Sequence, residues 1–139
     1  VSGMTAQRQR VNTISENIAN AETTRTPQGG PYRRREVILA SVANDRTFEE
    51  ELLSQDRSVS TSTEVKVVGV VQDERPPILR FEPGHPDANE EGYVEMPNVN
   101  IMEEMVNLMS ANRSYEANTA AFNATKNMVQ SALDLGRNA

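Results

Sequence analysis

The most regular stretch of the sequence, and the one that decides the fold, is residues 100–136: NIMEEMVNLMSANRSYEANTAAFNATKNMVQSALDLG. Asn100 can cap a helix, with Glu103 three residues later, and Gly136 stands where a helix would end. One row of apolar side chains recurs every seven residues: Ile101, Leu108, Tyr115, Phe122 and Val129. This spacing predicts a helix over residues 100–135 that carries a coiled-coil stripe.

A second row on the same helix lies four residues after the first and is polar in its middle layers. It consists of Met105, Asn112, Thr119, Lys126 and Leu133. Polar layers in a helical seam reduce stability, but they restrict the register and the choice of partner. We therefore expect this helix to select among many similar helices in an assembly.

The start of the chain carries a matching stripe. Its residues are spaced at seven, three, four and three positions: Met4, Val11, Ile14, Ile18 and Ala21. The pattern predicts a helix over residues 1–21, which we expect to pair antiparallel with the C-terminal helix. Because Val1 already lies inside the pattern, we also expect further helical residues before it.

Residues 22–99, between the two helices, read as loops and short strands. Pro27 and the run Gly29-Gly30-Pro31 end the helical pattern. Apolar runs predict strands at residues 37–39, 65–71, 78–81 and 93–96. Thr47 followed by Glu50 predicts a short helix at 48–54, and the Ser/Thr-rich residues 56–64 predict a loop or edge strand. The predicted fold class is α+β: terminal helices in an antiparallel coiled coil, with a small β-rich domain inserted between them.

The length of the C-terminal helix points to assembly. It would extend roughly 52 Å, whereas a compact chain of this size has a diameter of roughly 37 Å. The N-terminal helix is shorter and covers only part of the apolar row. We therefore predict a structural subunit whose helices bind other subunits. The predicted interface residues are Met4, Val11, Ile14, Ile18, Ile101, Met105, Leu108, Tyr115, Phe122 and Val129.

Composition excludes several classes of function. The chain has 139 residues, a net charge of −6 and no cysteine. Nucleic-acid binding is therefore not expected, and disulfides and thiolate chemistry are excluded. Aromatic residues make up 4%, too few for a large aromatic-lined ligand pocket. No apolar run approaches the roughly 20 residues of a membrane span, and no signal peptide is evident.

Two clusters remain as candidate sites. His85 is the only histidine and lies near Asp87, Glu90 and Glu91, but a solvated turn is favoured there over a metal site. The run Arg33-Arg34-Arg35 could bind a phosphate or an acidic partner surface. We predict that these arginines and the polar loop at residues 82–92 are subunit contacts. No pattern indicates a catalytic site or a bound cofactor.

Three stretches of the sequence carry the motifs of a known family. They are SENIANAETTRTPQGGPYRR at 15–34, EPGHPDANEEGYVEMPNVN at 82–100 and EMVNLMSANRSYEANTAAFNATKNM at 104–128. The first contains an N-x-A-N…T signature, formed by Asn17, Ala19, Asn20 and Thr23 or Thr24. Together the stretches resemble the rod, hook and hook-associated proteins of the bacterial flagellum, and most closely the rod proteins of its basal body.

The resemblance implies a structural subunit of the proximal rod, without catalytic residues or cofactor. Such proteins are exported unfolded through the flagellar type III apparatus and polymerise with other rod proteins and with copies of themselves. In the resulting hollow drive shaft, which crosses the periplasm, the terminal helices form the inner layer and the β-rich insertion faces outward. Two alternatives stay open: an adaptor that holds another protein's helix, and a metal-dependent enzyme centred on His85.

Overall fold

The computed structural model describes residues 2–43 and 63–137 and confirms the predicted α+β class. Its elements are, in order, α1 (Ser2–Ala19), β1 (Arg35–Ala43), β2 (Thr63–Gln72), β3 (Ile78–Phe81), β4 (Tyr93–Met96) and α2 (Ile101–Arg137). All four predicted strands are present. The predicted short helix at 48–54, with its cap at Thr47 and Glu50, lies outside the described residues, as does most of the Ser/Thr-rich stretch.

Helix α2 has 37 residues and is therefore about 55 Å long. It begins where its cap predicts: Oδ1 of Asn100 accepts hydrogen bonds from the amides of Met102 at 3.1 Å and Glu103 at 3.4 Å. These bonds satisfy amides that have no partner inside the helix. Neither described helix is long and apolar enough to cross a membrane.

Helix α1 ends at Ala19, two residues earlier than predicted, because Asn20 turns the chain. Nδ2 of Asn20 donates to the carbonyl of Glu16 at 2.9 Å, and its Oδ1 accepts from the hydroxyl of Thr23 at 3.1 Å. The amide of Thr23 also donates to the carbonyl of Asn20 at 3.1 Å. The signature residues Asn20 and Thr23 thus close the helix and start the loop that follows.

The four strands form two separate antiparallel pairs. Strands β1 and β2 pair from Arg35↔Gln72 to Ala43↔Thr63, with a shift in register between Ile38 and Leu39. Strands β3 and β4 pair from Ile78↔Met96 to Phe81↔Tyr93. The β1–β2 pair packs against α1, which attaches this part of the β region to the helices.

The two helices pair antiparallel, as predicted. Gly3 near the start of α1 lies beside Asn118, and Asn17 near its end is bonded to Glu104. The facing surfaces are small and polar, and among the described residues of the two helices Ile14, at 6% exposure, is the one large apolar side chain that is buried. The buried residues of the two helices are Ala6, Thr13, Ile14, Asn17, Glu104 and Ala111.

Helix α2 continues well beyond the end of α1. Since Gly3 faces Asn118, the last half of α2 has no helix of the described chain beside it. Every residue from 120 to 137 is exposed, and we call this segment the overhang.

Gly92, before β4, is a position that only glycine fits. Its φ is +83°, and a Cβ added there would lie 2.9 Å from Cε2 of Phe81, whose ring packs edge-on against Tyr93. We expect Gly92→Ala to lower the free energy of unfolding by about 1–3 kcal/mol, through backbone strain and displacement of the ring. Urea denaturation measures this loss. The control is Gly84→Ala, where an added Cβ meets nothing within 4 Å; equal losses in the two variants would contradict the prediction.

Candidate assembly site

A buried polar cluster joins the helix pair to the start of β1 and to the segment that leads into it. Asn17 lies at its centre with 0% exposure, and all four of its side-chain hydrogen-bonding positions are used. Nδ2 donates to the carbonyl of Arg35 at 2.8 Å and to Oε2 of Glu104 at 3.0 Å. Oδ1 accepts from the hydroxyl of Tyr32 at 3.0 Å and from the amide of Arg35 at 2.9 Å. We call Asn17, Tyr32, Arg34, the Arg35 backbone and Glu104 the polar hub.

Glu104 enters the hub from α2, with only 1% of its surface exposed. Its second oxygen, Oε1, accepts from Nε of Arg34 at 2.8 Å. Burial lowers the pKa of the Arg34 guanidinium, but the hydrogen bonds and charges of Glu104 and, secondarily, Glu36 outweigh it, so the pKa stands above its usual value. Both carboxylate oxygens are therefore bonded, as a buried charge requires.

The three arginines predicted as subunit contacts have different surroundings. Arg34 is mostly buried and is bonded within the chain to Glu104 and, at 3.3 Å, to Glu36. The Arg35 guanidinium lies 5.9 Å from the centre of the Tyr32 ring and 3.6 Å from Glu16. Arg33 is exposed. Arg33 thus remains the most accessible candidate of the run for contact with another molecule.

The predicted interface residues divide between covered and exposed positions. Ile14 is buried, and Met4, Val11, Ile18 and Leu108 are half-buried in the helix pair. The exposed ones are Ile101, Met105, Tyr115, Phe122 and Val129, at 37–55%. The side of α2 that faces α1 includes residues 104, 111 and 118, three positions after each apolar residue. The second row of the prediction, four positions after each apolar residue, is mostly exposed. The side of α2 that contains Glu104 faces α1 instead, because the hub holds Glu104 there.

The overhang carries a shallow apolar groove. Phe122, Val129 and Leu133 form its apolar part and are 48%, 55% and 65% exposed. Thr125, Lys126, Gln130, Asp134 and Arg137 complete the lining. A solvent-exposed apolar strip of this kind, with polar residues along its edges, is typical of a surface that binds another protein.

The loop at 82–92 is fastened to the loop after α1. The carboxylate of Asp87 accepts from the hydroxyl of Thr24 at 2.8 Å and forms an ion pair with Arg25. The hydrogen bond from Thr24 lowers the pKa of Asp87, and the charge of Arg25 adds to the effect. Nδ1 of His85 accepts from the Asp87 amide at 3.1 Å. Among the described residues, no three potential metal ligands come together around His85 or elsewhere.

A cleft of about 660 Å³ lies between α1, β1 and α2. Four arginines and four carboxylates line it, including Arg10, Asp73, Arg75 and Glu103. Hydrogen bonds from the side chain and amide of Arg75 hold the pKa of Asp73 at about 2. Because charges of both signs alternate and pair, the cleft does not present the field of one sign that attracts a charged ligand.

The hub was not predicted from the sequence. Asn17 is part of the N-x-A-N…T signature, but the signature assigns it no role, and no pattern in the sequence singles out Glu104. One signal was available: Glu104 lies three positions after Ile101, where a helix in a seam presents its second inward row.

Comparison with known proteins defines the class. Residues 1–25 match the family model described as "Flagella basal body rod protein". Residues 90–135 match the model described as "Flagellar basal body rod FlgEFG protein C-terminal". The matches cover α1 and nearly all of α2, which are the elements that form the helix pair. The chain is therefore a flagellar basal-body rod protein.

Curated relatives specify the family further. The flagellar basal-body rod protein FlgC of Borreliella burgdorferi is 43% identical over 136 residues, covering 95% of this chain and 90% of the relative. FlgC of Bacillus subtilis is 45% identical over 141 residues, covering 98% and 93%. FlgC of Escherichia coli O6:H1 is 40% identical over 136 residues, covering 98% and 92%. The chain belongs to the FlgC family, and it is a structural rod subunit of the flagellar basal body.

Proposed function

We propose that this subunit polymerises through its helices, with copies of itself and with other rod proteins, into a hollow shaft that transmits torque without catalysis. Residues 1–21 and 100–135 act as the assembly unit, and residues 22–99 form the β-rich part. The observation that carries the proposal is the overhang, a helical segment whose apolar residues have no cover in the described chain. Passage through the flagellar export apparatus is part of the proposal and rests on the family resemblance.

The helix pair leaves several large apolar side chains of α2 exposed, and we propose that they contact other molecules. Met102, Val106 and Met109 on the first half of α2 are 58–72% exposed, and Met128 and Leu135 on the overhang are 65% and 75% exposed. Burial of a large apolar side chain contributes about 1.5–3 kcal/mol. Neighbouring helices would cover both halves of α2, and the summed burial would drive polymerisation.

The geometry suits a mechanical role. A helix of about 55 Å, held along its first half by α1 and along its second half by neighbours, links several subunits at once. Force applied to one subunit is then distributed over many side-chain contacts. Arg33 and the 82–92 loop, both on the β-rich part, are proposed as further contacts between subunits.

Thiol labelling tests whether the overhang is buried in the assembly. The chain has no cysteine, so Val129→Cys introduces a single thiol. We expect a maleimide to react at least about tenfold more slowly with this thiol in isolated basal bodies than in the free chain, since packing limits access and raises the thiol pKa. Denatured basal bodies should label at the rate of the free chain and serve as the control.

Two outcomes would count against this function. Equal labelling in basal bodies and in the free chain would show that the overhang stays exposed after assembly. Protection of the thiol in a stable one-to-one complex with a rod protein, without any higher polymer on sedimentation, would favour the alternative function, an adaptor that holds another protein's helix. The apolar side chains of the groove, Phe122, Val129 and Leu133, could contact the helix of a single partner as well as neighbouring subunits, so this measurement also tests the adaptor function.

A further inference from the structure

Lys126 lies within the apolar line of the overhang. The two rows of α2 continue there as Phe122, Lys126, Val129 and Leu133, at spacings of four, three and four residues. All four residues line the groove, and the three apolar ones are 48–65% exposed. Residues at these spacings share one face of a helix, so a helix packed on that face meets all four. A partner seated on the groove therefore has to accommodate a positive charge.

Lys126 has no carboxylate of its own helix within reach. Ion pairs along a helix join residues three or four positions apart. Of the three cations in α2, Arg113 has Glu116 at this distance and Arg137 has Asp134. The ion pairs of the described residues do not include Lys126. Its neighbours at three and four positions are apolar or neutral: Phe122, Asn123, Val129 and Gln130.

A helix that covers the groove would remove the ammonium group of Lys126 from water. A buried charge without an opposite charge is strongly unfavourable, whereas a facing carboxylate supplies the missing partner. The lysine stem can carry the charge to the edge of the groove. Asp134, the acid that lines the groove, lies eight residues away, about 12 Å along the axis. The carboxylate therefore has to come from the molecule that covers the groove.

The same charge disfavours pairing between two overhangs. In a parallel pair in register, each residue of the line meets its counterpart, so Lys126 would face a second Lys126. The spacings of four, three and four read the same in both directions, so an antiparallel pair is also in phase. Lys126 would then face Val129 of the other copy and remain without a carboxylate. Charged residues in a helical seam select between partners in this way.

We propose that Lys126 determines which helix the overhang accepts. The accepted helix is apolar opposite Phe122, Val129 and Leu133, and it carries an aspartate or glutamate opposite Lys126. Another overhang does not meet this requirement, so the grooves of free chains do not pair with each other. The inference rests on the proposed assembly function, and it adds the chemistry of the helix that covers the groove.

Sedimentation of the purified chain tests the rejection of a second overhang. Lys126→Leu makes the line apolar throughout, and we expect its apparent dissociation constant for self-association to be at least about tenfold lower than that of the unaltered chain. Lys126→Arg keeps the charge and should behave as the unaltered chain. Asn127→Leu adds the same side chain outside the groove and should not self-associate more strongly. Equal self-association of Lys126→Leu and the unaltered chain would overturn the proposal.

Basal-body content tests the requirement for a carboxylate in the partner. In cells whose only copy of the gene carries the change, we expect Lys126→Arg to leave the content unaltered. Lys126→Glu should lower it at least about tenfold, because two carboxylates would meet in the covered groove. Lys126→Gln, which removes the charge, should fall between them. Asn127→Glu is the control outside the groove and should assemble normally.

Normal basal-body content in Lys126→Glu cells would also overturn the proposal. The Val129→Cys thiol then separates this inference from the assembly function. If the thiol is protected in the Lys126→Glu basal bodies, the overhang is still buried, and only the acid opposite Lys126 is refuted. If the thiol labels freely even beside an unaltered Lys126, the assembly function itself fails, whereas sedimentation of the free chain still decides whether Lys126 prevents pairing of overhangs.

Discussion

The Phe122→Glu variant is expected to abolish rod assembly, and swimming with it, while the single chain folds as before. Phe122 is 48% exposed and lies in the groove of the overhang, beyond the reach of α1. In the free chain a glutamate there would be solvated. In the proposed assembly, loss of the ring would remove about 1.5–3 kcal/mol of burial in every subunit. Burying an unpaired carboxylate costs several kcal/mol more.

The measurement is swimming and basal-body content in cells whose only copy of the gene carries the change, with circular dichroism of the purified chain to check its helices. Asn127→Glu is the matched control, because it adds the same charge to the overhang at a position that does not line the groove. Leu108 is less suitable, since it is half-buried against α1 and its replacement would disturb the helix pair itself. Normal flagella in Phe122→Glu cells would be strong evidence against assembly through this face.

The Asn17→Ala variant is expected to lose about 3–5 kcal/mol of unfolding free energy, a large share of the 5–15 kcal/mol typical of a small domain. Alanine leaves the amide and carbonyl of Arg35 without their partner, together with the Tyr32 hydroxyl and one oxygen of Glu104. Each buried polar group left without a partner costs about 1–3 kcal/mol.

Urea denaturation followed by circular dichroism measures this loss. Asn20→Ala is the control from the same signature: its side chain bonds Glu16 and Thr23 near the surface, so we expect a loss of about 1 kcal/mol. Equal losses in the two variants would show that the hub contributes no more than an exposed turn.

The sequence predicted the elements because their signals are local. The cap at Asn100, the seven-residue row of α2 and the β-branched run around Val67 each lie within one segment, and the helix and strand that they predict are confirmed. The pairing of the strands could not be predicted, since any of four short apolar runs can pair with another. Which strands form hydrogen bonds with each other depends on which segments the helices bring together.

The hub could not be predicted because its partners lie far apart in the sequence. The three consecutive arginines are predicted as contacts between subunits, and nothing near them indicates that Arg34 alone has a buried partner 70 residues later. Glu104 likewise reads as an ordinary acid in the first turn of a helix. The side of α2 that faces α1 follows from this ion pair and from the small residues Ala6 and Ala111, rather than from the apolar row.

The long distance in sequence between the partners of the hub has a consequence for the order of folding. The bond between Asn17 and Glu104 closes a loop of 87 residues, whereas the turn at Asn20 and the β3–β4 hairpin join neighbours. Long loops lose more chain entropy before their contacts form, so local structures come first and the helix pair comes last. A chain delivered N-terminus first cannot complete the pair until residue 104 has emerged. The overhang follows later still, so this segment, which is proposed to meet the neighbours, is released only after the residues of the helix pair.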